Sequence, residues 1–279
     1  MKNKISQFVS LANVILLTSG ALAAETLLYE FTFNDNSQNE LTQSSGDESL
    51  TLNFTSFVNA NSDERIATDL YGARGSGVSG KSDDLAYDNT NSPSLGCMAQ
   101  ARDASNPVND LKFFTLSGWF KSTGPGSYSR IIEIGKTALF FSEMEGASTQ
   151  RIEFSTRIND MSSDPERVST NLDHGIKGEW VFFAVTYDGS SGEANIYVGS
   201  ETLRVESMAV AIFAKGKVVS GEGQRFSIGN SSYHDNQRPF EGYLDNIRVW
   251  GSSDDSSAAL NMKEVQSVMA NDLKNRTLR

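Results

Sequence analysis

The chain has 279 residues, with 24 Lys+Arg against 35 Asp+Glu and a formal net charge of −11. That acidic balance excludes the basic patch that a nucleic-acid backbone requires. The single cysteine, Cys97, excludes an intrachain disulfide framework. No apolar run in the body reaches the ~18 residues of a membrane-spanning helix.

The N-terminus reads as a targeting segment. Lys2 and Lys4 form a positive region, Phe8 to Leu17 an apolar stretch, and Ala21-Leu22-Ala23 a small-x-small cleavage site. This order is that of a secretory signal peptide over residues 1–23. The expected mature chain starts at Ala24 and is secreted, periplasmic or at the cell surface. No cysteine follows the cleavage site to carry a lipid, and no hydrophobic tail suggests a C-terminal anchor.

Residues 24–279 read as one domain built from strands. Alternating or β-branched and aromatic runs recur between Gly/Asn/Asp/Ser clusters. They predict strands at 27–33, 49–54, 111–121, 130–134, 138–142, 151–157, 180–187, 194–198, 202–210, 225–229 and 242–250. Tyr187-Asp188-Gly189-Ser190-Ser191-Gly192 separates two of these runs with hairpin residues. One helix is predicted over about 256–273, with Leu260, Val265, Val268, Met269 and Leu273 on one face and Asp254, Asp255 or Ser256 as its cap. Many strands and one helix predict an all-β sandwich or barrel.

Gly75-Ser-Gly-Val-Ser-Gly80-Lys81-Ser82 matches the phosphate-loop pattern. Such a loop works between a buried strand and a helix N-terminus. Here an irregular stretch precedes it and the acidic, turn-rich run from Asp83 to Pro93 follows. The expectation is therefore a flexible surface loop. Nucleophile-elbow and zinc-protease motifs are absent, and His174 and His234 lie in loop-like contexts. Glu143 and Glu145 are two apart and would share a strand face, which a two-carboxylate glycosidase could use; solvated charges at a hairpin mouth are the alternative.

The last strand carries more information. With period two, Tyr243, Asp245, Ile247 and Val249 share one face, and Leu244, Asn246, Arg248 and Trp250 the other. If Ile247 and Val249 face the core, Asp245 points inward at its margin. A carboxylate there needs hydrogen bonds, a cationic partner or a metal. Both the hydrogen-bonded reading and calcium ligation are open at this point. Asp35, in Asn34-Asp35-Asn36, would be a second ligand; the segment lacks the glycine and glutamate of a helix–loop–helix calcium site.

Phe240-x-Gly242-x-Leu244-Asp245-Asn246-Ile247-Arg248-Val249-Trp250 resembles the C-terminal signature of laminin-G-like domains in the concanavalin A-like lectin/glucanase superfamily. Leu28–Phe33, Phe114–Lys121, Gly178–Gly189 and Ala194–Val198 resemble that family's opening and central strands in order and spacing. The resemblance implies a jelly-roll sandwich of two antiparallel sheets, commonly a binding module, and in many members a calcium ion near the sandwich rim. Glucan-hydrolysing relatives carry an E-x-D-x-x-E strand, which this sequence lacks.

The expected function is thus a non-catalytic module for carbohydrate or another extracellular macromolecule. A glycan-active hydrolase or lyase and a structural or adhesive envelope component are the alternatives. Trp119 and Trp180 belong to apolar strands and should be core, while Trp250 should seat the helix. The ligand site is expected in an edge loop, at Tyr233, His234, Asp235 and Arg238.

Overall fold

A computed structural model describes residues 26–34, 52–59, 61–62, 64–101, 108–124, 126, 128–143, 150–171, 178–221, 226–231 and 238–274. In chain order the strands are β1 Leu27–Phe31, β2 Asn53–Phe57, β3 Arg65–Ala67, β4 Tyr87–Asp88, β5 Met98–Ala101, β6 Phe113–Ser122, β7 Arg130–Ile134 and β8 Thr137–Glu143. They continue as β9 Gln150–Thr156, β10 Glu166–Ser169, β11 Trp180–Asp188, β12 Glu193–Ser200, β13 Glu206–Ile212, β14 Phe226–Ile228 and β15 Gly242–Ser252. A short helix, α1 Ser92–Leu95, precedes β5, and α2 Met262–Lys274 closes the fold.

The strands form two antiparallel sheets packed as a jelly-roll-like sandwich. One is seven-stranded, in the order β1-β15-β6-β11-β12-β13, with β4 also pairing β15. The other is eight-stranded, in the order β10-β9-β8-β7-β14-β5-β2-β3. Alternating residues of both sheets fill the space between them: Phe31 stacks on Phe226 at 5.4 Å, Phe120 meets Phe141 edge-on at 5.2 Å, and Phe114 tilts against Phe154 at 5.7 Å. Each such ring removed from water contributes about 1.5–3 kcal/mol.

The seven-stranded sheet is buried on both faces, and so β6 and β11 read as nearly unbroken apolar runs. Its outer face carries Trp119, Trp180, Phe182, Tyr197 and Trp250, covered by Leu260, Val265 and Met269 of the C-terminal segment. Thus Trp250 seats the helix, and Trp119 and Trp180 are buried in this second core beneath it. α2 comes close at Gly199, where an added Cβ would stand 2.6 Å from the Met269 sulfur and that side chain would have to shift. The predicted helix is split. Asp255 caps a 3-10 turn at Ser256–Ala258, and the α-helix starts again at Met262. Asn261 is its cap: its side chain accepts from Lys263 and Glu264 N–H, while Glu264 accepts the Asn261 N–H.

Two expectations need correction. The glycine-rich segment 75–80 is not a flexible surface loop. Gly77, Val78 and Ser79 are buried, and every N–H from Ser76 to Lys81 is donated to this protein's own carbonyl, hydroxyl or carboxylate oxygens. The strand-face parity of β15 also breaks. Asn246 has φ +48, and the pairing with β6 shifts between Asp245 and Arg248. This bulge sends Leu244, Ile247 and Val249 together into the inter-sheet core. Asp245 instead lies on the helix-bearing side, beneath Val78.

Candidate functional site

Asp245 is fully buried, and both its oxygens accept backbone N–H groups: Oδ2 from Val78 at 2.8 Å and Oδ1 from Asn246 at 2.7 Å. Beside it Asp84 Oδ2 accepts the Ser79 N–H at 2.7 Å. The glycine-rich loop therefore cradles anions after all, but they are the protein's own carboxylates. Glycine is required at 77 because an added Cβ would stand 2.4 Å from the Asp84 carboxyl carbon. Burial, and next the charge of Asp84, push the Asp245 pKa well above the usual carboxylate value; the Val78 and Asn246 N–H groups offset part of this.

Asp84 and Asn34 open onto a polar recess of about 610 Å³ that also meets Arg248 and Asp272. Arg248 is held by Asp272 at 2.8 Å and Glu30 at 2.6 Å. Burial opposes its charge, but the two carboxylates outweigh that and raise its pKa. Neither Asp84 nor Asp245 has a cationic side chain within salt-bridge distance among the described residues. In donor type, then, this corner offers a hard cation oxygen atoms from the Asp84 and Asp245 carboxyl groups and from the neutral Asn34 amide, while Lys81 and Arg248 line the same recess. In number it falls short, since no three acidic, His or Cys groups converge among the described residues. Asp35, the other expected ligand, lies outside them.

The second site is on the eight-stranded sheet, over whose β7–β10 outer face no helix lies among the described residues. A cavity of about 320 Å³ opens there over β7, β8, β9 and β10. Strand alternation builds it. Ile152, Phe154 and Val168 point into the core, which leaves Ser155, Arg157 and Arg167 outside. On β8, Leu139 and Phe141 point inward and Phe140 outward. Tyr128, 47% exposed, stacks on Phe140 at 6.3 Å. The Arg130 guanidinium lies 4.2 Å from the Phe140 centroid, and that of Arg238 lies 4.6 Å from the Tyr128 centroid. Two rings and two guanidiniums thus form one contiguous cluster.

Arg130 is fixed by Glu133 at 3.0 Å and by the Tyr128 carbonyl at 3.0 Å. Burial lowers its pKa, and Glu133 works in the opposite direction. Glu133 also accepts from the Ser231 hydroxyl at 2.6 Å, and Glu153 pairs with Arg151 and Arg167. The face's buried carboxylates are therefore engaged in structure. Of the residues expected to bind ligand, Arg238 lines this cavity, and its carbonyl accepts the Arg130 N–H. Tyr233, His234 and Asp235 lie outside the described residues, as do His174, Glu145 and the Glu143 side chain. Tyr128, Arg130, Phe140, Arg157 and Arg167 were missed. The alternation Arg151-x-Glu153-x-Ser155-x-Arg157 was the available signal.

A family model described as the concanavalin A-like lectin/glucanases superfamily (Laminin_G_3) matches residues 99–265. The chain belongs to that superfamily. Domain 4 of AbnA, an extracellular GH43 arabinanase from Geobacillus stearothermophilus solved with arabinotriose, shares this laminin-G-like fold. It has a TM-score of 0.57 at 15% identity, covering 87% of this chain and 98% of that one. The binding domain of botulinum neurotoxin DC, solved with rat synaptotagmin II, aligns at TM-score 0.51 and 10% identity over 90% of this chain and 52% of that one. The laminin-G-like chain thus spans about half the neurotoxin domain's length. No curated protein sequence matches it significantly.

Proposed function

We propose that this protein is an exported, non-catalytic carbohydrate-binding module whose binding surface is the open outer face of the eight-stranded sheet. The single observation behind this reading is the cavity over β7–β10. It is concave and combines an exposed ring with several fixed hydrogen-bond donors, the composition that sugar hydroxyls and a pyranose face require. The arabinotriose complex of AbnA domain 4 supports a carbohydrate as the ligand. The ion-paired state of Glu133 and Glu153 supports binding over hydrolysis, because a glycosidase needs two carboxylates directed at one bond.

The test is a glycan array probed with the secreted protein and with Tyr128→Ala. Binding by wild type, lost or sharply reduced in the variant, is expected. Turnover of a polysaccharide that vanishes in Glu143→Gln or Glu145→Gln would instead make the protein an enzyme.

Calcium at the Asp84–Asp245 corner is a second proposal, favoured by the two buried carboxylates without a cationic partner. Asp84, Asp245 and Asn34 would hold it, with Asp35 adjacent in sequence. Its role would be to neutralise that charge and fix the loop. EDTA should then lower the melting temperature of wild type and restored calcium should return it.

A further inference from the structure

The charge of the sheet-face cavity contradicts that of the chain. Acidic residues outnumber basic ones, 35 to 24, over the whole sequence. Around the cavity the ratio reverses: Arg130, Lys136, Arg157, Arg167 and Arg238 line it against one carboxylate, Glu133. Like charges brought this close repel, and the repulsion is relieved when an anion enters.

Internal pairing does not account for all of these cations. Arg130 is matched by Glu133, and Arg167 by Glu153 at 2.7 Å. Arg157 and Arg238 have no carboxylate within salt-bridge distance among the described residues. Yet both are oriented. Arg157 Nε donates to the Ser163 carbonyl at 2.8 Å, and Arg238 lies over the Tyr128 ring. A guanidinium so held has its terminal N–H fork directed before any ligand arrives. That geometry suits a planar or tetrahedral oxyanion and costs little further ordering on binding.

We propose that this face recognises a glycan through an acidic substituent, a carboxylate or a sulfate, taken by Arg157 and Arg238, with the sugar packed beside the exposed part of Tyr128. The inference rests on the carbohydrate-binding reading and adds the ligand's charge. Neutral sugar hydroxyls can accept from these guanidiniums, but only an anion also balances the two that lack a carboxylate partner. A polyanion is repelled by the rest of an acidic surface, so any binding it shows must come from a local site.

The experiment is calorimetric titration of the secreted protein with polygalacturonate, dextran sulfate and unmodified dextran, at about 50 mM and about 500 mM NaCl, where screening differs strongly. Binding to one acidic polymer, weakened at high salt, is expected, with dextran inert; which polymer binds separates carboxylate from sulfate. Arg157→Gln and Arg238→Gln should each weaken it by about tenfold, the scale of one lost charge-assisted pair. Lys263→Gln, an exposed charge on α2, should leave it unchanged. Arg157→Lys keeps the charge without the fork and should recover only part of the affinity, and melting curves confirm that each variant is folded. Acidic polymers bound equally by wild type and the folded Arg157→Gln/Arg238→Gln double variant would overturn the assignment. An array on which only neutral glycans bind would overturn the acidic preference and leave carbohydrate binding intact. An array with no binding to any glycan, acidic or neutral, would overturn both.

Discussion

Asp245 shows how much a single residue's environment decides. Its carboxylate accepts two backbone N–H groups, one from the adjacent Asn246 and one from Val78, 167 residues away, and so ties the glycine-rich loop to β15. Asparagine in its place has one acceptor oxygen. One of the two N–H groups would then face an amide NH₂, a donor against a donor. An unsatisfied buried donor costs about 1–3 kcal/mol. For a chain of this size each kcal/mol lowers the melting temperature by about 2–4 °C. Asp245→Asn should therefore melt several degrees below wild type. With calcium bound at this corner, EDTA should reproduce most of that loss in wild type and add little in the variant. With hydrogen bonds alone, the variant is destabilised and EDTA has no effect on either protein. A variant as stable as wild type would falsify the anchoring role itself.

Among the elements, the C-terminal helix depends most on one polar connection inside an apolar contact. Asp272 accepts from the Trp119 indole at 2.8 Å and forms a two-pronged pair with Arg248, whose other partner is Glu30 on β1. One helix residue thereby fixes a ring of β6 and a guanidinium of β15. Removing one member of a buried ion pair costs about 3–5 kcal/mol, because the charge left behind stays out of water. Asp272→Ala should fall near the lower end, since Glu30 still faces Arg248. Asp272→Asn keeps an acceptor for Trp119 and should lose less. Urea unfolding curves of the two variants test the order; equal losses would mean that the Trp119 hydrogen bond adds nothing beyond the lost pair with Arg248.

Among the described residues, the C-terminal segment covers the outer face of one sheet and no helix covers the other, and the proposed function rests on this asymmetry. The helix closes the outer face rich in tryptophan, and the basic and aromatic face of the other sheet is the one proposed to take the ligand. The proposed export would give such a module access to extracellular glycans. Cleavage before Ala24 is expected, and mass spectrometry of protein recovered outside the cytoplasm checks it. Recovery of a chain retaining residues 1–23 would rule the signal out.

Much of this architecture was legible in sequence because period-two alternation reports burial directly. The run at 130–134 coincides with β7, and the hairpin at 187–192 joins β11 to β12 as the turn residues require. The family signature in β15 could likewise be read before any coordinates, since it consists of adjacent residues. Short strands such as β3, β4, β5 and β10 were not legible: they have too few residues to show a period and exist because a neighbour supplies their hydrogen bonds. Nor could alternation reveal the bulge at Asn246, which moves Asp245 from one side of the sheet to the other. The sheet-face site is nonlocal for the same reason. Arg130, Phe140, Arg157, Arg167 and Arg238 are scattered over more than a hundred positions, and only strand pairing at ~4.8 Å spacing brings them together. Sequence determined which residues avoid water and hence the kind of fold; tertiary structure decided which surface that fold left open, because contacts between distant strands are set by packing and not by neighbours in the chain.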